Sequence, residues 1–229
     1  MYLARVSLIR APVSSMINEA NTSPLAFCII DDRAIFLDVD GDRYFSLPSK
    51  LNQAFIEGAT RPDRLTDEHR LRLTRLGIIG DVSTGPTAVR LQFCSPACGI
   101  EPKDPSRFLL PAAIAQSHMR FRLRYWSFSR IIRFERRRRK ENRRQSTTLE
   151  LSQLYASFCT LSAWFGEEDQ CLARALAFRA LAMKRGHDAS LVVGVKLDPF
   201  AAHCWIQDDR RLLNDRLERV RLFTPILVC

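Results

Sequence analysis

Between residues 25 and 47 the chain runs in three short, mostly apolar bursts, L-A-F-C-I-I, A-I-F-L-D-V and R-Y-F-S-L. Each burst is bounded by turn chemistry, Asp31-Asp32 and Asp40-Gly41-Asp42, so residues 25–30, 34–39 and 43–47 are predicted strands joined by hairpin turns. The period then lengthens. Pro48-Ser49 starts a helix through Leu51, Ala54 and Phe55 that the sequence would end at Gly58. Thr66 can cap a second helix, with Asp67 and Glu68 in its first turn and Leu71, Leu73 and Leu76 along it to Gly77. The first 24 residues give no such signal.

From Asp81 to Ala112 the periodicity fades and five of the 11 prolines fall. This is linker composition. Beyond it, Phe121, Tyr125, Phe128 and Ile132 follow one another at steps of four, three and four, as on one face of a helix. The run C-L-A-R-A-L-A-F-R-A-L-A-M-K-R-G, from Cys171, is alanine-rich and ends on Gly186, favouring a helix. Residues 188–197 are β-branched and apolar, and 203–207 and 211–215 flank the polar turn Asp208-Asp209-Arg210, so three strands close the chain.

Charge changes this picture in one place. Of the 35 Lys/Arg and 25 Asp/Glu, 12 and two fall between His118 and Arg144, and the rest of the chain is balanced. The segment is therefore a basic amphipathic connector helix whose charges are solvated. Membrane-surface binding, nucleic-acid binding and contact with a partner enzyme or acidic precursor stay open as alternatives. No stretch approaches 18 apolar residues, and the N-terminus lacks the apolar run and small-residue cleavage site of a signal peptide. Seven cysteines without a framework suit a reducing, cytoplasmic setting. Cys94 and Cys98 in C-S-P-A-C have zinc-like spacing, but no second ligand pair follows, so no metal is expected.

The chemistry concentrates between Gln170 and Asp215. Cys171 would lie in the first turn of its helix, where free N–H groups stabilise a thiolate. His203 follows in a strand, and a hairpin centred on Asp209 would set residue 203 opposite 215, 205 opposite 213 and 207 opposite 211. Facing pairs bring Cβ atoms to roughly 4.5–5.5 Å, the reach a carboxylate needs to orient an imidazole. Taken singly, a helix cysteine is usually a small core hydrophobe and a strand histidine a structural one. Together they are the residue types of nucleophile, base and orienter. His69, His118 and His187 have no comparable partner in a predicted hairpin.

The order helix-Cys, strand-His, strand-Asp resembles the transglutaminase-like branch of papain-type thiol enzymes. More narrowly, Q-C-L-x-R-A-L-A, A-S-L-V-V-G-V, P-F-x-A-H-C-W and L-L-N-D resemble the leader peptidase (B protein) of lasso-peptide gene clusters, including the microcin-processing group. The resemblance covers the last third of the chain. It implies Cys171, His203 and Asp215 as catalytic residues; Cys204, where relatives often carry serine, is a departure expected to be tolerated. The string G-D-R-Y-F-S-L-P, a helix ending in glycine and a helix ending L-x-x-L-G-I-I resemble the precursor-recognition domain of ribosomal-peptide biosynthesis. There the leader adds a strand to the third strand and packs on the last helix, here residues 43–47 and 65–78. The leader-binding residues so implied are Arg43, Tyr44, Phe45, Ser46, Leu47, Leu73 and Leu76.

The expected organisation is α+β. A winged-helix-like recognition domain (1–80) precedes a proline-rich linker (81–117), the basic connector helix (118–145) and a papain/transglutaminase-like cysteine protease domain (146–229). The implied function is removal of the leader from a lasso-peptide precursor, with the core passed to an ATP-dependent, asparagine-synthetase-like cyclase and no cofactor needed. Two alternatives remain. One is an acyltransferase or transglutaminase with the same triad. The other is a non-enzymatic winged helix binding nucleic acid, a partner that the first reading does not expect.

Overall fold

The computed structural model describes residues 25–79, 88–90, 96–105, 107–138, 147–165, 170–187, 189–208 and 211–229. They form two compact units, one within Arg5–Leu91 and one within Gln92–Cys229.

In the first unit β1 (Leu25–Ile30), β2 (Arg33–Asp38) and β3 (Arg43–Ser46) form an antiparallel meander. Asp31 and Asp32 turn the first hairpin with φ of 46° and 57°, the left-handed pair that a two-residue turn between twisted strands demands. Two helices follow, α1 (Ser49–Thr60) and α2 (Asp67–Arg75), with a 3-10 turn between them at Pro62–Arg64. Thr66 caps α2, its hydroxyl accepting from the His69 N–H. The core is a cluster of Phe27, Phe36 and Phe55, with Leu51, Leu73 and Ile78 packed around it.

Three features differ from expectation. α1 runs through Gly58 because that glycine is where Leu65 crosses the helix; a Cβ there would meet Leu65 Cδ1 at 3.2 Å. β4 (Ala88–Arg90) pairs in parallel with β1, so the unit reaches past residue 80 and its sheet runs β3-β2-β1-β4. Leu73, assigned to leader contact, is fully buried in the core, whereas Leu76 is exposed.

The second unit begins with β5 (Cys98–Gly99), then α3 (Leu109–Tyr125) and α4 (Phe128–Arg138). The connector is thus two helices, and the first starts inside the segment read as linker. Side chains on both sides hold the break. Trp126 is extended, Ser127 Oγ accepts from the Arg130 N–H to open α4, and the Arg122 guanidinium lies 3.9 Å over the Trp126 ring and 4.5 Å over Phe134. The break splits the four-residue aromatic stripe: Phe128 and Ile132 are buried, Phe121 and Tyr125 exposed.

α5 (Thr148–Phe165) and α6 (Cys171–Lys184) pack with α3 beside a five-stranded sheet. Its order is β5-β8-β7-β6-β9, built from β6 (Ser190–Lys196), β7 (Ala201–Asp208), β8 (Arg211–Leu212) and β9 (Thr224–Val228), with the short α7 (Leu217–Val220) before the last strand. Trp205, fully buried among Val192, Leu212 and Val220, anchors one face. It fits only because residue 194 has no side chain: a Cβ there would lie 2.7 Å from two Trp205 ring carbons and 3.0 Å from Phe223 Cβ. Gly194→Ala is therefore expected to cost about 1–3 kcal/mol by overpacking, read as a lower urea midpoint with an unchanged slope.

Candidate active site

α6 begins at Cys171, after Gln170 in the capping position, so the thiol sits in the first turn among N–H groups the helix itself leaves unpaired. Glu167, Glu168 and Asp169, read as the lead-in to this helix, lie outside the described residues. The opposite wall is β7, which carries His203, almost wholly buried. His203 Nε2–H donates to Asp215 Oδ2 at 2.5 Å, and the ring's other side hydrogen-bonds Cys171. The three residues singled out in the sequence are brought together.

They meet by a different path from the one expected. The hairpin register is one residue off: Asp208 faces Arg211 and Gln207 faces Leu212, so Trp205–Leu213 and Gln207–Arg211 are not pairs. β8 ends at Leu212, and Asp215 is not in a strand. Leu213 N–H still donates to the Ile206 carbonyl at 2.9 Å. Asn214 then ends the ladder, its Oδ1 accepting from the Ile206 N–H at 2.7 Å. That turn brings the Asp215 carboxylate back onto His203, where Oδ1 accepts from the Arg216 N–H at 2.7 Å. The side-chain amide of Asn214, not strand pairing, places the carboxylate.

Electrostatics singles out Cys171 among the local thiols. The Cys204 thiol donates to its sulfur, and although burial opposes a charge there, the hydrogen bond and charge of His203 add to the effect. The Cys171 thiol is held well below its ordinary range. Cys204 goes the other way, pushed well up by that same bond and by its complete burial, so it remains the proton donor. Cys159, on α5, is also raised, chiefly by burial. For His203 burial works against the cation, but the bonds to Asp215 and Cys171 outweigh it and the imidazole is raised. For Asp215 burial again opposes the charge, and His203, the Arg216 N–H and Arg174 together keep it lowered. All three shifts run in the direction that favours a thiolate facing an imidazolium, with a carboxylate behind it.

Several contributors escaped sequence reading. Cys204, which the sequence marks only as a tolerated departure from serine, bonds Cys171. Arg174, one turn after Cys171, reaches within 3.8 Å of Asp215 Oδ2 while donating to Ser162 Oγ at 2.9 Å. The spacing of Cys171 and Arg174 on one helix face was the available signal. Buried Gln116, on α3, donates to Gln170 Oε1 at 3.0 Å and steadies the residue before Cys171. His187 does find a carboxylate, Asp208 Oδ2 at 3.2 Å, at the closing pair of the hairpin. Cys94 lies outside the described residues, and Cys98 is exposed.

With that geometry in view, residues 115–228 match the family model described as Transglutaminase-like superfamily. Over that span, just under half of the chain, the protein is similar to a transglutaminase-like domain. The matched span starts within α3 and ends in β9, so it takes in the whole of the Cys171–His203–Asp215 cluster. No curated protein and no solved structure matches the chain. The transglutaminase-like domain supports thiol-based acyl chemistry, of the cysteine-protease or transglutaminase type, and among the described residues no helix is long and apolar enough to cross a membrane.

The remaining sequence-predicted residues belong to the first unit. Among the described strands, β3 lies at the edge of its sheet, with β2 as its neighbour. Tyr44 is buried, Phe45 stacks on Phe36 with ring centroids 5.1 Å apart, and Leu47 packs against the core; Ser46 is exposed, and Arg43 Nε bonds Asp38 Oδ2 at 3.1 Å.

Proposed function

We propose that this protein is a leader peptidase: a cysteine protease that binds the leader of a ribosomally made lasso-peptide precursor through its first unit and cuts it off with its second. The observation that carries the chemistry is the single imidazole bridging Asp215 at 2.5 Å and the helix-start thiol of Cys171. The thiolate attacks the carbonyl carbon of the last leader residue, and the Cys171 backbone N–H is placed to receive the developing oxyanion. As the C–N bond breaks, the imidazolium gives its proton to the departing amine; water, deprotonated by the same ring, then releases the leader as a free acid. The freed core amine is the group an ATP-dependent, asparagine-synthetase-like cyclase would acylate. The chain needs no metal or organic cofactor for these steps.

Recognition is assigned to the β3 edge, where strand addition supplies main-chain hydrogen bonds and the neighbouring apolar side chains supply selectivity. Phe45→Pro in the full chain, which deletes a backbone donor in β3, is expected to weaken leader binding about tenfold or more while Cys171 stays reactive to a small thiol reagent. Isothermal calorimetry with the leader peptide checks the first half, and an alkylation rate the second.

The superfamily also holds acyltransferases, so an amine rather than water could resolve the acyl-enzyme. The masses of the products decide: a leader ending in a free carboxyl supports the peptidase, a leader joined to an amine the transferase.

The ion pair also sets the pH response. Below the depressed Cys171 range the thiolate is lost, and above the raised His203 range the imidazolium is lost, so kcat/KM is expected to form a bell with its plateau between the two. Cys204→Ala removes the donor to the thiolate and should move the acid limb upward. A profile with an unmoved acid limb would show that Cys204 does not tune the nucleophile.

A further inference from the structure

α3 has two apolar faces. The inner one, Ala112, Gln116 and Met119, is buried against the second unit's body. The outer one carries Leu110, Ile114, Phe121 and Tyr125, exposed by 71%, 62%, 63% and 65%. Steps of four, seven and four return to the same side of a 3.6-residue helix, so these four form one stripe about 22 Å long, facing away from the buried side. Large side chains left this open in a row, rather than singly, mark a surface that something covers.

The charge around the stripe says what kind of surface covers it. α3 contains no acidic residue, and the only acid of α4, Glu135, is buried against Arg179. Arg120, Arg124, Arg130 and Arg133 are exposed on the same two helices. The basic excess of the whole chain is concentrated between residues 118 and 144, as 12 Lys/Arg against two acids. A second copy of so basic a face would repel the first. A polynucleotide would take the arginines but has no use for Leu110 and Ile114. An anionic bilayer uses both sets, since acyl chains accept the aliphatic and aromatic groups while lipid phosphates pair with the arginines. Phe121 and Tyr125, with ring centroids 4.6 Å apart, form the kind of pair favoured at headgroup depth.

We propose that the outer stripe of α3, together with the exposed arginines of α3 and α4, is a docking face for an anionic membrane surface. The helix lies flat on the bilayer without crossing it, and the catalytic unit is held at the lipid boundary.

Flotation of the full-length protein with two vesicle types tests this. It is expected to float with phosphatidylcholine–phosphatidylglycerol vesicles but not with phosphatidylcholine alone, and to be released at high salt. Combining Leu110→Ser with Phe121→Ser should reduce the floated fraction at least fivefold at an unchanged thermal midpoint, because both side chains are exposed. A separate Phe121→Trp variant should show a blue shift of the new indole emission only with the anionic vesicles. The proposal is overturned if neither vesicle type is bound, if both are bound equally, or if the double serine variant floats like the wild type. It is equally overturned if the wild type is a stable dimer that the double serine variant dissociates, which would assign the stripe to a second copy.

Discussion

Cys171→Ala is expected to abolish release of the leader, a loss of roughly 10⁴-fold or more in kcat, in a protein that still folds and still binds its leader. The size follows from what is removed. Without the sulfur there is no acyl-enzyme, and His203 is left to activate water across a gap shaped for a thiolate. Asp215→Asn should fall between this variant and the wild type. Its amide can still accept the Nε2–H of His203, so the ring keeps its place, but the negative charge that favours the imidazolium is gone. The acid limb of the pH profile should accordingly rise, because a thiolate facing a less cationic ring is less stabilised. Mass spectrometry of a synthetic precursor at matched enzyme concentrations gives both results. Full leader release by folded Cys171→Ala would remove Cys171 from the chemistry, and activity of Asp215→Asn equal to wild type would reduce Asp215 to packing.

How much of this could be read beforehand depended on how local each cause was. The two hairpin turns of the first unit, the Thr66 cap and the start of α6 at Cys171 are set by residues within one turn of each other, and they stand where the sequence put them. The juxtaposition of Cys171, His203 and Asp215 was legible because few residue types can serve such chemistry, but its scaffolding was not. Hairpin symmetry about Asp209 gave the right partner for His203 through the wrong register, because nothing local reveals that Asn214 will bond the Ile206 N–H and turn the chain early. Likewise the aromatic repeat from Phe121 to Ile132 looked like one face of one helix. The stacking of Arg122 on Trp126 and Phe134, which holds the break, joins residues on both sides of it and has no signature in periodicity. Leu73 illustrates a third kind of miss: an apolar helix residue reads the same whether it faces a ligand or the core, and here it faces the core.

The largest effect on stability is expected away from the site, at a pair that periodicity also concealed. Arg179 sits in the middle of the apolar face of α6, fully buried, with its guanidinium on the Glu135 carboxylate of α4. Its Nε–H donates to the Ala189 carbonyl at 2.7 Å and Nη1 to the Glu135 carbonyl at 3.2 Å, so one side chain ties α4 and α6 to the start of β6. Glu135→Ala leaves a guanidinium in an apolar interior with no counter-charge and is expected to cost about 3–5 kcal/mol, a large share of the total stability of a domain this size. Arg179→Ala should cost as much, since it strands the carboxylate and two backbone carbonyls and opens a cavity. A double replacement by apolar residues of similar volume, Glu135→Leu with Arg179→Met, separates charge from packing. It should recover most of the loss, because neither ion then needs its partner. Chemical denaturation of the four proteins compares these costs. If the single variants cost no more than surface substitutions, the pair is a bystander; if the double variant is worse than both, the hydrogen bonds to Ala189 and Glu135, rather than the charge balance, hold the three elements together.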